Sequence, residues 1–595
     1  MPIAKTIQVA RLLAAILVLT IPAAQAQNLT NADNSVTLNL GGSWEGGVPA
    51  GSANIAVWDA NVQANTTKTL GASLSWAGIQ VLNPGGPIVV GADGNTLTLG
   101  ASGVDLSQAT NNLTLDNLVA LGANQTWQVT NGLTLTIAGA VSGSKGLTLN
   151  NGGNNGGSIL LSTANSYTGG TLINSGRVLP ANAACFGFGG VTNLGGAWAL
   201  SSFPANGIIT NQITVSNTVM IDMNNTGSSF LFDGSWSGNG TILVTNDTGS
   251  GSTLTFGGNS LPGGMANFTG SIIVVTNASG TPNAGTIRFN NGGLNNVGNS
   301  ALSINLGGTT QGGPASTVIL ANRDASTTSV GELTGGPGTT VTGQTSQSGT
   351  VIWSIGGKNT SVSFGGAFVN KSSSAIAALT KVGTGTFTLT GTNTFTGAVT
   401  ISAGTLQVGD GNADGVLGGG AIANNASLVF NRPDAYTVGN NLSGAGTVTI
   451  LGGGTNTYTG TNTSSGATII NNSDLVLGAS GLMSCAITVA GNGMFDVSQN
   501  PAFTLNQTLS GSGNINGALT AAGGTLYPGG AAGAGTLTFL GGLTESGGVN
   551  NQFALSTPTG TNDLILVNGN LTLTGLNNII LSEFGGGTIP PAPTH

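Results

Sequence analysis

The 595-residue chain offers few side chains for chemistry. Its single histidine is the last residue, His595, so no Ser–His–Asp or Cys–His relay can be built in the body of the protein, and His/Cys metal sites are excluded with it. The two cysteines, Cys185 and Cys485, stand 300 residues apart and read as buried small residues rather than a staple. Paired carboxylates could serve a glycosidase or a polysaccharide lyase. The acids are isolated, however: Asp93, Asp105, Asp116, Asp222, Asp233, Asp247, Asp474 and Asp496 each lie beside Gly, Asn or a strand end, where Asp is a turn former. The tightest charged group, Arg432-Pro433-Asp434, reads as a turn salt bridge. Asp410-Gly411-Asn412-Ala413-Asp414-Gly415 imitates the start of an EF-hand loop, but its twelfth position is Ala421 rather than Glu and no helices flank it. G-G-x-G-x-D repeats, which would fold around calcium, are also missing. No catalytic, cofactor or metal residue is assigned.

Composition agrees. Charged residues are 5%, where a soluble domain usually carries about 25%. Gly numbers 103, but it does not recur every third residue and Pro is only 18, which excludes collagen. Hydrophobic residues at 39% and a mean hydropathy of +0.24 argue against disorder. The net charge of −8 and eleven scattered bases exclude a basic patch for nucleic acid or an anionic membrane.

The elements that must carry these residues are strands. Short runs alternate Thr or Ser with Leu, Val, Ile or Phe and end in Gly, Asn or Asp: NTLTLG (95–100), GLTLTIAG (132–139), GTFTLTG (385–391), GTLTFLG (535–541). That alternation marks half-buried strands with turns between them. A larger unit, N-[ST]-[YF]-T-G, recurs at Asn165–Gly169, Asn393–Gly397 and Asn456–Gly460, with a weaker copy at Asn267–Gly270. Repetition of this kind predicts an all-β, right-handed parallel β-helix (β-solenoid). Tyr167, Phe395 and Tyr458 would close each rung at a corner or in the core, and Gly169, Gly397 and Gly460 follow them. Rungs of roughly 20 to 25 residues stacked at about 4.8 Å give on the order of 25 rungs and a rod near 120 Å. The 63 residues from Phe395 to Tyr458 fit three rungs. In-register stacking places like beside like, so repeated Lys or Glu would repel while Asn can stack as amide ladders. The scarcity of charge follows.

These residues resemble a known family. Leu379 to Gly409, LTKVGTGTFTLTGTNTFTGAVTISAGTLQVG, is similar to the autotransporter-associated β-strand repeat. Ser158 to Leu179 is a second copy, in which Arg177 replaces the usual Thr, and 446–477 is a degenerate third. Residues 426–450 look like linking rungs, and 523–573 resemble a C-terminal passenger segment. The resemblance implies a secreted or surface-displayed passenger-type β-helix, without a recognisable C-terminal barrel in this sequence.

Residues 1–26 read as a signal peptide: Lys5 and Arg11, then the apolar run Leu12–Ile21, then Ala24-Gln25-Ala26, with cleavage between Ala26 and Gln27. Removing Lys5 and Arg11 leaves 9 bases against 19 acids, net −10. No later apolar run reaches transmembrane length. Residues 27–140 form an N-terminal β region and cap, 141–575 the β-helix (best copies 158–179, 379–409 and 446–477), and 576–595 a C-terminal tail. Trp44, Trp58 and Trp76 cluster in the N-terminal region, where they would cap the first rung, or alternatively stack on sugar rings. The expected function is that of an exported, non-enzymatic rod for surface display, adhesion or matrix structure, with no cofactor and with extracellular polysaccharide or cell-surface components as partners. The alternative is a carbohydrate-active or polysaccharide-binding β-helix, which as an enzyme needs three or more acids converging within about 10 Å.

Overall fold

A computed structural model of the protein describes residues 26–152, 156–223, 228–245, 252–257, 264–275, 284–289, 296–308, 317–323, 327–344, 348–412, 415–556 and 560–583. Among them regular structure is β throughout, apart from short 3-10 turns at Gly41–Ser43, Leu200–Ser202 and Gly530–Ala532. The chain winds as a β-solenoid of about 20 parallel-strand coils.

One coil shows the plan. Thr218–Asp222, Ser229–Phe232 and Trp236–Gly238 form its three sides, and the next coil repeats them as Thr241–Thr245, Thr253–Phe256 and Asn267–Phe268. Each side pairs in parallel with its successor, Thr218 with Thr241, Ser229 with Thr253 and Ser237 with Asn267. Three faces thereby run along the axis. Asn296–Asn305 bends round a corner and serves two of them, pairing Asn296–Asn299 with Thr327–Val330 and Ser303–Asn305 with Glu332–Thr334. The longest sheet is an open ladder, because its first strand, Thr67–Thr69, and its last, Leu482–Met483, each have one neighbour. Coil length varies from 16 residues (Thr504 to Thr520) to 33 (Thr253 to Thr286). Val399 pairs with Ile422, Ile422 with Leu442 and Leu442 with Asn462, so the 63-residue spacing from Phe395 to Tyr458 spans three coils, as expected.

Alternation explains both the core and the surface. Leu113, Leu135, Ile159, Val178, Trp198, Ile221 and Val244 are successive register partners on one face, and all are buried. Each aliphatic member of such a column contributes roughly 1.5–3 kcal/mol by leaving water. On the outer side, hydroxyls meet in register: Thr214 Oγ1 lies 2.9 Å from Ser237 Oγ, and Thr488 Oγ1 3.0 Å from Ser510 Oγ. Among the described ladder positions no charged residue has a charged register partner. Asp105 lies between Gln80 and Gln128, Lys381 between Ile355 and Ile401, and Asp496 between Val476 and Asn516. Stacking at about 4.8 Å would set like charges against each other, and the ladder avoids it.

At the N-terminal end Trp44, Trp58 and Trp76 pack edge to face with ring centroids 5.7–6.2 Å apart. Trp44 Nε1 donates to Leu38 O and Trp76 Nε1 to Ala50 O. At the other end Asn578–Glu583 pairs with Asn550–Leu555, so the ladder runs into the stretch expected as a tail from 576. Residues 584–595, His595 included, lie outside the described residues, as do residues 1–25 of the expected signal peptide. Gln27 opens the first strand, Gln27–Thr30.

Candidate functional site

The repeated unit is where sequence and geometry concentrate. In its first two copies the motif lies between a strand of one face and a strand of the next: Ser158–Leu161 precedes it and Thr171–Ser175 follows, as Thr386–Leu389 and Val399–Ile401 do in the second. The third places Tyr458 at the end of the strand Thr455–Tyr458. Tyr167 and Phe395 are fully buried and Tyr458 nearly so. Tyr167 Oη lies 2.6 Å from Thr171 Oγ1, and Tyr458 Oη donates to Asn440 O at 3.1 Å. Burial raises both phenols above their ordinary pKa.

The motif glycines answer to close stacking. An ideal Cβ at Gly169 would overlap the main chain of Lys145 and Gly146. At Gly397 it would overlap Ala377 O and stand 2.8 Å from Ala378 Cβ, and at Gly460 it would overlap Asn440 O and stand 2.7 Å from Asn440 C. In each case the obstacle belongs to the preceding coil.

The motif asparagines act differently from the expected amide ladder. Asn165 Oδ1 accepts from Val141 N in the coil below, and its Nδ2 donates to Cys185 O in the coil above. Asn393 does the same with Phe368 N and Val416 O, both at 2.7 Å. Each inner amide therefore clamps three coils through their backbones, satisfying corner groups that no ladder reaches. Among the described residues side-chain amides meet at outer positions such as Asn174 with Asn150 and Asn578 with Asn550. The degenerate third copy departs again: Asn456 is fully buried and neither its Oδ1 nor its Nδ2 has a partner.

Charged side chains that the sequence left unexplained also tie coils together. Lys381, in the K-x-G-x-G start of the best copy, is buried with Nζ on Val382 O (2.7 Å), Gly383 O (2.9 Å) and Ala403 O (3.3 Å); desolvation lowers its pKa. Arg177, where the repeat usually has Thr, reaches across the intervening coil to Asp222 at 3.3 Å. Neither role carries a sequence signal beyond an isolated charge inside a strand. Arg432 and Asp434 form the expected turn salt bridge, doubly bonded at 2.9 and 2.7 Å. Arg432 also donates to Gly415 O and covers the Tyr436 ring at 4.7 Å, and its hydrogen bonds hold Asp434 below the usual carboxylate range.

Asp247 lies outside the described residues, and among the described acids no three come together. Among the described residues no group of three or more His, Cys, Asp or Glu is placed to hold a metal ion. Asp474 and Asp496 are neighbours on adjacent coils, two positions out of register. Burial first and Asp496 second raise Asp474, whereas Asp496, itself raised by burial, is brought below its ordinary value by hydrogen bonds from Ser498 and Asn516. Of the EF-hand-like string, Ala413 and Asp414 lie outside the described residues, and Asp410 Oδ1 accepts from Asn412 N as a turn former. Cys185 and Cys485 are both free and buried, and burial pushes the Cys185 thiol up. Trp44, Trp58 and Trp76, along with the other four tryptophans, are at most 2% exposed, so none presents a face to a sugar.

With this geometry in hand, similarity to known proteins takes on a definite meaning. A family model described as Passenger-associated-transport-repeat matches residues 154–179 and 379–408, the coils of the first two motif copies. The adhesin BmaC autotransporter of Brucella suis biovar 1 (strain 1330) is 34% identical over 92 residues, covering 16% of this chain and 3% of the adhesin.

Proposed function

We propose that this β-solenoid, which carries passenger-type transport repeats and fits an autotransporter passenger β-helix, is an exported, surface-displayed rod with an adhesive or matrix-building role and without enzymatic activity. The observation that carries the proposal is the repeat coil itself. In its first two copies the buried aromatic, the asparagine clamp and the packed glycine all serve the stacking of one coil on the next. The partial similarity to an adhesin supports the adhesive side of the reading. Export rests on the signal-peptide pattern of residues 1–26, with cleavage proposed between Ala26 and Gln27. No helix among the described residues is long and apolar enough to cross a membrane.

The test is display of the chain on a bacterial surface. Cells bearing it should aggregate or adhere to a coated surface more than control cells, and purified protein should release no reducing ends or unsaturated uronates from polysaccharides. Turnover of a polysaccharide, or display without any change in adherence, contradicts the proposal.

A further inference from the structure

One aromatic side chain among the described residues is exposed. Phe188 is 75% accessible, while Phe186, two residues earlier, is fully buried against Trp198. Gly187 between them has φ +62°, which turns the chain and breaks the alternation that would have placed both rings inside. Phe188 N donates to Tyr167 O, anchoring the backbone of Phe188 at a repeat corner.

Two residues further along the chain, Gly190 lines a hollow of about 500 Å³ on one face of the solenoid, and so do Gly169 and Gly170, which follow the Tyr167 carbonyl that holds Phe188 N. Two columns line it. Thr148, Leu172, Thr192 and Thr214 are successive register partners pointing outward, and Asn124, Gly190 and Gln212 stand at the strand starts. Among the described residues the side chains of Thr148, Thr192 and Gln212 have no hydrogen-bond partner in the protein. No charged side chain lines the hollow; Lys145 is exposed outside it. Gly190 is not required by stacking, because a Cβ there would meet only Gln212 O, at 3.7 Å, and its φ is not positive.

We propose that this hollow binds a neutral polysaccharide chain, with one pyranose ring stacked on Phe188 and its hydroxyls bonded to Thr148, Thr192 and Gln212. The chemistry narrows the ligand class. Uncharged hydroxyl and amide groups match sugar hydroxyls and offer an anion no countercharge. An extended peptide cannot join here by strand addition, since Leu147–Asn150, Thr171–Ser175 and Val191–Asn193 already have a neighbour on both sides. A ring with an apolar C–H face and polar edges fits an exposed aromatic beside a polar floor. The glycine at 190 leaves room for the ligand that any side chain would take.

The proposal gives the adhesive reading a ligand class and rests on that reading for its biological use, but it is tested on purified full-length chain. Native affinity electrophoresis would be run in gels containing xylan, laminarin or dextran, with polygalacturonate as the charged comparison. Retardation is expected with at least one neutral polysaccharide. It should weaken about tenfold for Phe188→Ala and vanish for Gly190→Leu, with melting curves of both variants matching the parent because neither site is packed. No retardation by any of the three neutral polymers, retardation by polygalacturonate alone, or retention unchanged in both variants overturns the proposal. Loss of cell adherence with glycan binding intact would instead count against the adhesive role.

Discussion

Leu417 is followed by three glycines whose surroundings differ sharply, which makes them a test of coil stacking. An ideal Cβ at Gly420 would overlap Gly397 O and stand 2.6 Å from Gly397 C, whereas at Gly419 it would meet nothing within 4 Å; neither position has positive φ. Bringing Gly397 C alone from 2.6 Å to the 3.4 Å of ordinary contact separates the neighbouring coils locally by 0.8 Å in Gly420→Ala, and the nearer Gly397 O demands more than that. That separation stretches the adjacent bond Val399 N to Ala421 O (2.9 Å), which spans the same two coils. Overpacking together with the weakened bond should cost about 3 kcal/mol. Gly419→Ala should instead be neutral or stabilise by about 0.4–1 kcal/mol, by restricting the unfolded chain. Urea unfolding followed by far-UV circular dichroism compares the two on one baseline. Equal stability of the two variants, or a larger loss at 419, would refute the stacking argument.

The asparagine clamps give a second contrast. Asn393→Ala orphans Phe368 N and should destabilise by about 2–3 kcal/mol, while Asn456→Leu, which removes an amide without partners, should be neutral or stabilising in the same urea assay. Burial lowers Lys68 to about 8 from 10.5, although Asp33 opposes this, so between those pH values the unfolded chain binds more protons and stability rises with pH. The penalty is complete below pH 8, and the stability of wild type relative to Lys68→Met should therefore climb from pH 8 to 10.5; a flat difference contradicts it. Ellman's reagent should find no reactive thiol in native protein and two after denaturation, and a fast-reacting thiol in the native state would contradict the burial of Cys185 and Cys485.

The architecture was legible because two periods coincide in the sequence: alternation along each strand and the recurrence of N-[ST]-[YF]-T-G. The first decides which side chains face inward, and the second places equivalent corners in successive coils. What stayed hidden depends on the distance between coils and on single departures from alternation. Arg177 meets Asp222 across an intervening coil, and no local pattern joins residues 45 apart. Lys381 looks like any strand lysine until the carbonyls of the next turn enclose it. Phe186 and Phe188 share a parity, and one positive-φ glycine sends the second outside. The amide ladders were expected from spacing alone, but buried corner N–H and C=O groups bind the inner amides first.

The central claim is that successive coils stack in parallel, in the stated register, and paired cysteines test it most directly. Thr400 pairs with Ala423, and Ala423 with Ser443. Adjacent coils at about 4.8 Å fall within disulfide range, and coils two steps apart, near 9.6 Å, fall beyond it. Under mild oxidation Thr400→Cys with Ala423→Cys should cross-link, while Thr400→Cys with Ser443→Cys should stay reduced. Cross-linking of the second pair in preference to the first would contradict the account.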